Sequence, residues 1–163
     1  MRVALYRKET RMAQSIEERL ARLEAVEEIK ALKARYCALC DSDYEPDGLA
    51  ALFMPEAIWD GGLFGRYEGR EAIRAFFRGI SGSIRFAAHL VLNPIIEVQS
   101  LDAATGQWRL IMPCTVTTDN GEAEARWLLS AYDEVYARHE GAWLFRSLNL
   151  VVNFYAPHLK GWA

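Results

Sequence analysis

Residues 36–49, YCALCDSDYEPDGL, bring together a Cys-x-x-Cys pair and four carboxylates, Asp41, Asp43, Glu45 and Asp47. Such a cluster could serve thiol redox or zinc binding, calcium binding, or acid-base chemistry by a single carboxylate. Structural zinc needs four ligands, and the remaining thiol, Cys114, stands alone with no second Cys-x-x-Cys and no His-x-x-x-His. A redox pair belongs at a helix N-terminus, whereas Cys37 and Cys40 fall in the last turns of a helical pattern, where the dipole opposes a thiolate. Both are expected to be buried core thiols. Counted from Asp41, a calcium loop wants Gly at its sixth position and Glu at its twelfth, where this chain has Pro46 and Leu52. The calcium reading fails, and Asp43, Glu45 and Asp47 are left as a solvated turn and helix cap.

Asp41 differs in kind, because it falls at the end of an apolar helical stripe through Leu32, Tyr36 and Leu39. A partly desolvated carboxylate there can work as a base or orient one. His89, in FAAHLVLNPIIEVQ, is the natural partner, since a carboxylate fixes an imidazole's tautomer and stabilises the imidazolium. His139 lies beside a turn and His158 in the tail. Arg146 is the third chemical residue. In WLFRSLNLVVNF it alternates with Leu144, Leu148, Leu150, Val152 and Phe154, so strict alternation aims its guanidinium into an apolar face. A cation there needs a buried carboxylate or a polar group of a ligand.

The elements that must position these residues are legible in outline. From Ile16 to Leu39 apolar residues recur at steps of three or four, which predicts one long amphipathic helix, interrupted near Glu24 if anywhere. Ser15 and Glu18 form a capping box at its start, and it should end near Asp41. Asp47 is the expected cap of a short helix over residues 48–53. Residues 57–69 read as a hairpin and residues 70–80 as a third helix. Four long antiparallel strands then follow, with turns near residues 101–106, at Asn120-Gly121 and at Gly141. Helices first and a meander after is an α+β arrangement. A sheet of this kind, strongly curved and covered by helices, makes a cup with an apolar pocket. Its outer face would carry Trp127 and Trp143, candidates for contact with a second copy.

Composition narrows the function. The chain has 163 residues, 52% hydrophobic and 25% charged, with a formal net charge of −3, which suits one globular domain and gives no basic field for nucleic acid or an anionic membrane. No run of about 18 apolar residues predicts a membrane span, and the N-terminus lacks a secretory signal pattern. With three cysteines, an odd number, a reducing, cytoplasmic location is expected.

The stretches EEIKALKARYCALCD, GLAALF, GREAIRAFF, AAHLVLNPIIEV and WLFRSLNL together resemble the SnoaL-like branch of the nuclear transport factor 2-like superfamily. The likeness covers roughly residues 22–155, with residues 1–21 as an N-terminal helical extension. It implies a cone-shaped, cystatin-like α+β roll: a curved antiparallel sheet covered by N-terminal helices around an apolar pocket. Dehydratase and dehydrochlorinase members use a His/Asp dyad, which implies catalytic roles for His89 and Asp41. The same likeness implies that Tyr36, five residues before the dyad carboxylate, and Arg146 act on the leaving group. Positions five apart on a helix point about 140° from each other, so either Tyr36 reaches round or the helix loosens before Asp41. Trp59, Phe53, Tyr67, Met112 and Trp127 are the expected substrate contacts. The implied activity is a cofactor-independent lyase, with no metal, acting on a small hydrophobic molecule in a homodimer or homotrimer. Isomerisation or cyclisation of a steroid- or polyketide-like substrate begins with the same proton abstraction. A non-catalytic binding or structural module shares the fold. Two observations separate these readings: whether Asp41 and His89 are hydrogen-bonded, and whether side chains fill the cavity beside them.

Overall fold

A computed structural model of the chain describes residues 15–160; the expected N-terminal extension and the end of the tail lie largely outside them. Helix α1 (Ile16–Asp41) is continuous through Glu24. Its capping box is formed: the Glu18 N–H donates to Ser15 Oγ at 3.1 Å and the Ser15 N–H to Glu18 Oε2 at 3.0 Å. Ala25, Ile29, Leu32, Tyr36, Cys37 and Cys40 are buried, while Ile16, Leu20 and Leu23 project exposed beyond the core. Asp43 (φ 58°) and Tyr44 (φ 53°) then adopt consecutive left-handed conformations. A bulky residue such as Tyr rarely does so, at a cost on the order of 1–3 kcal/mol. Helix α2 (Pro46–Ala51) follows. Its cap is Glu45, which accepts from the N–H groups of Asp47 and Gly48 at 3.1 and 2.6 Å. Asp47, the expected cap, sits inside the first turn, because Pro46 takes the first helical position and moves the boundary back.

Strands β1 (Phe53–Asp60) and β2 (Arg66–Glu68) form the hairpin, and α3 (Arg70–Ile80) packs Ile73 and Phe77 into the core. Strands β3 (Ile84–Ala87), β4 (Leu90–Val98), β5 (Ala103–Thr117), β6 (Ala123–His139) and β7 (Ala142–Pro157) complete one sheet, in the order β2-β1-β7-β6-β5-β3 with β4 also on β5. β3 and β4 lie end to end along one edge of β5. β1 joins parallel to β7, so the meander is antiparallel and its closing pair is not. The result is the α+β roll with a curled half-barrel sheet. Its concave face is lined by Trp108, Leu110, Met112 and Cys114 of β5, Leu128, Ser130, Tyr132, Glu134 and Tyr136 of β6, and Phe145, Leu148 and Leu150 of β7, all buried.

Candidate active site

Asp41 closes α1, and His89 lies in the two-residue gap between β3 and β4. His89 Nδ1 is 2.6 Å from Asp41 Oδ1, and the His89 backbone N–H donates to both carboxylate oxygens at 3.0 and 3.1 Å. The imidazole side chain is 6% exposed and the carboxylate 35%. With Nδ1–H directed at the carboxylate, Nε2 is left as the basic nitrogen, and Asp41 is placed to stabilise an imidazolium.

His89 forms part of the wall of a small aromatic cavity with Tyr36, Tyr44, Trp59, Phe64, Phe76, Phe77, Ile80, Ile84, Leu110, Met112, Leu128, Tyr132 and Leu150. The Trp59 indole N–H donates to the Tyr36 hydroxyl at 3.1 Å. The helix stays regular, so Tyr36 points into the core while Asp41 stands at its rim; the two meet the site from different sides. Burial pushes the hydroxyls of Tyr36, Tyr44 and Tyr132 above the ordinary tyrosine value, so all three stay protonated. The free volume is about 30 Å³. That is room for one or two waters, against about 300–1,000 Å³ for ligand sites generally. The His89–Asp41 hydrogen bond is thus formed, and side chains nearly fill the space beside it.

Of the expected substrate contacts, Trp59 and Met112 line this cavity. Phe53 lies behind the wall, fully buried against Phe145 and Tyr36. Tyr67 backs the wall, stacked on Phe76 at 4.4 Å with its hydroxyl donating to the Phe64 carbonyl. Trp127 stands apart from it, its indole N–H donating to His158 Nδ1 at 2.8 Å. Arg146 is exposed and does not line the cavity. The pairing of β6 with β7 shows why: Phe145 faces Tyr136 and Ser147 faces Val135, so Arg146 is the extra residue of a β-bulge. The bulge reverses the alternation. Before it Trp143 and Phe145 point inward, after it Leu148 and Leu150 do. The same slip buries Trp143, expected on the outer face.

The charge inside the cup belongs to a residue that strict motif matching misses. Lys33 is fully buried, its Nζ 2.5 Å from Glu134 Oε1 and 3.2 Å from the Tyr132 ring centroid. Tyr136 donates to the other Glu134 oxygen, and the Trp108 indole N–H donates to the Tyr136 hydroxyl at 3.0 Å. The signal was present: Lys33 interrupts the apolar stripe between Ile29 and Tyr36, and Glu134 alternates with Tyr132 and Tyr136. Cys37 and Cys40 are buried free thiols. Burial raises Cys37 to about 11 and Cys40 well above the usual thiol value, so both are protonated and unreactive near neutrality. Among the described residues no His, Cys, Asp and Glu side chains cluster as metal ligands, and no helix is long and apolar enough to cross a membrane.

A curled sheet closed by three helices over an aromatic cavity defines a cystatin-like α+β roll. The sequence profile of the SnoaL-like domain matches residues 21–149, and the chain belongs to that family. Among solved structures it resembles a candidate scytalone dehydratase from Novosphingobium aromaticivorans DSM 12444, with 21% identity, 86% of this chain and 91% of the other covered, and a TM-score of 0.78. A type 3 hexachlorocyclohexane dehydrochlorinase from Novosphingobium barchaimii LL02 shares 22% identity over 85% of this chain and 93% of its own, with a TM-score of 0.74. A protein with a cystatin-like fold from Nostoc punctiforme PCC 73102 shares 19% over 87% and 96%, with a TM-score of 0.61. At these identities the likeness establishes the fold. No curated protein sequence matches the chain.

Proposed function

We propose that the protein is a lyase that removes H and a leaving group from a small, largely apolar molecule. The observation that carries the reading is the His89–Asp41 contact of 2.6 Å at the wall of an apolar cavity. His89 Nε2 takes a proton from carbon, the C–H electron pair forms the new double bond, and the leaving group departs with its own pair. Asp41 holds the imidazole in the required tautomer and balances its charge. Tyr36, held by Trp59, offers a hydroxyl toward the developing negative charge. Every role falls to a protein side chain, so the step calls for no cofactor. Self-association through the exposed apolar edge at Leu90, Leu92 and Ile95 belongs to the same proposal, and sedimentation measures it.

Admission of a substrate requires the aromatic wall to part, and the small volume favours a second reading, a non-catalytic module whose cavity is simply core. Scytalone and hexachlorocyclohexane, named for the two structural relatives, are the first compounds to test. General-base catalysis contributes about 10²–10⁴-fold, so His89→Ala should lower turnover by that factor while the melting temperature stays nearly unchanged. Turnover that survives His89→Ala refutes the assignment. Product analysis separates elimination from isomerisation or cyclisation.

A further inference from the structure

Phe64, Ile80 and Ile84 each border two spaces. On one side they belong to the wall of the His89 cavity, and on the other they border a hollow of about 320 Å³ at the end of the sheet where β5 turns into β6. The hollow between the start of α1 and the β4–β5 turn, and the one around Gln107 and Asp133, share no wall residue with that cavity. Joined through the partition, the two spaces fall within the range of ligand sites, about 300–1,000 Å³, which the cavity alone does not reach. Phe64 is the part of the partition free to swing. It is half-buried and meets Tyr155 edge-on at 5.8 Å, whereas Ile84 is buried on β3. Its turn is closed by the Gly61 N–H, which donates to the Gly65 carbonyl at 2.8 Å, and Gly62 (φ 59°) and Gly65 (φ 97°) take conformations that suit glycine. The backbone can stay in place while a change of rotamer at Phe64 parts the wall.

The two spaces differ in chemistry. Aromatic and aliphatic side chains surround the cavity, whereas Ser83, Thr117, Thr118, Asp119 and Arg126 border the hollow. Arg126 donates through Nε to Glu124 and lies over the Tyr155 ring at 4.9 Å. Its two outer nitrogens make no hydrogen bond among the described residues, so the guanidinium is held in place with donors to spare. The carboxylates of Asp119 and Glu124 outnumber this one cation, which disfavours an anionic ligand and leaves a neutral acceptor as the fitting partner. We propose that the hollow is the outer half of the substrate site and takes the neutral, hydrogen-bond-accepting tail of an elongated molecule, whose apolar ring passes Phe64 into the His89 cavity. The inference rests on the reading of that cavity as a substrate site. It puts the reacting carbon at the buried end and recognition of the tail at the exposed end.

The probes are 4-phenylbutanamide, 4-phenylbutanoate and 4-phenylbutylammonium, one ring and chain with a neutral, an anionic and a cationic end. Binding is followed by tryptophan fluorescence, to which Trp59 in the cavity wall contributes. The amide should bind most tightly. Arg126→Met should weaken the amide about 10-fold, the loss of one hydrogen bond from a charged donor, and leave the ammonium compound no weaker. A minor open form populated at about 0.1–10% reduces apparent affinity by that fraction, so Phe64→Ala should tighten the amide about 10-fold or more and speed its association. Phe64→Leu, which keeps more of the packing, should act in the same direction and serves where the Ala variant fails to fold. The proposal is overturned if the charged probes bind as well as the amide, if Arg126→Met changes nothing, or if both Phe64 variants bind as the wild type does. Failure of the underlying reading looks different: no probe binds the wild type or any variant, because the cavity is core.

Discussion

Lys33→Met is the sharpest test of how the cup is held together. The ammonium and the Glu134 carboxylate have no side-chain exposure and lie 2.5 Å apart, so the substitution leaves Glu134 buried with the Tyr136 hydroxyl as its remaining partner. Breaking a buried pair from one side costs about 3–5 kcal/mol, because an uncompensated charge stays in a low-dielectric interior. Loss of the ammonium from the face of Tyr132 adds up to about 2 kcal/mol. Set against a stability of about 5–15 kcal/mol for a typical domain, this is a large fraction, and the melting temperature should fall by about 10 °C. Removing both charges with Lys33→Met and Glu134→Leu leaves no orphaned ion, so the double variant should be more stable than Lys33→Met alone. Urea unfolding followed by tryptophan fluorescence measures both, with the m-value showing whether the unfolded state has changed. A Lys33→Met cost below about 1 kcal/mol, or a double variant as weak as the two single losses combined, refutes the reasoning.

Arg146→Ala should change stability by less than about 0.5 kcal/mol and leave turnover intact, since the bulge turns the side chain to solvent; a strong kinetic loss restores the leaving-group role. Gly106→Ala should cost about 1–3 kcal/mol in urea unfolding, because an added Cβ would lie 2.7 Å from the buried Tyr136 hydroxyl and 2.8 Å from its ring; a neutral result means the phenol is free to move. Cys37, raised from 9.0 to about 11, binds its proton longer in the folded state than in the unfolded one. Its contribution, on the order of 3 kcal/mol, is therefore present below about pH 9 and lost as pH rises toward about 11. Unfolding curves over that range, compared with Cys37→Ala, test the sign.

Features set by local spacing were legible in the sequence. Ser15 with Glu18 and the three- and four-residue steps located α1 and its end at Asp41, because capping and helical periodicity involve residues within one or two turns. The Glu140-Gly141 turn, both residues with positive φ, was legible for the same reason. Arg146 and Trp143 were misplaced by one cause: alternation is a phase, and a single bulge inverts everything beyond it. Lys33 could be seen as a charge on an apolar face, but its partner lies 101 residues away and no spacing rule links them. Tyr44 was hidden because a tyrosine in an acidic turn looks solvated until α3 is folded over it.

The dyad owes its place to an interruption that a proline imposes on the sheet. The register is unbroken across the gap: Ala87 faces Cys114 and Leu90 faces Ile111, so Ala88 faces Pro113 and His89 faces Met112. Ala88 donates its N–H to the Pro113 carbonyl at 3.1 Å, and Pro113 has no N–H to return. The ladder therefore loses one bond at this point, and the strand splits into β3 and β4. At the next position the backbone N–H of His89 points toward the free edge of the sheet. An unpaired donor on an edge needs an acceptor, and Asp41 at the end of α1 supplies two oxygens to it while holding Nδ1. One carboxylate thereby closes the sheet edge, anchors the helix end to it and orients the imidazole. Asp41→Asn should for this reason lower stability as well as turnover, whereas His89→Ala, which keeps the backbone N–H, should lower turnover alone.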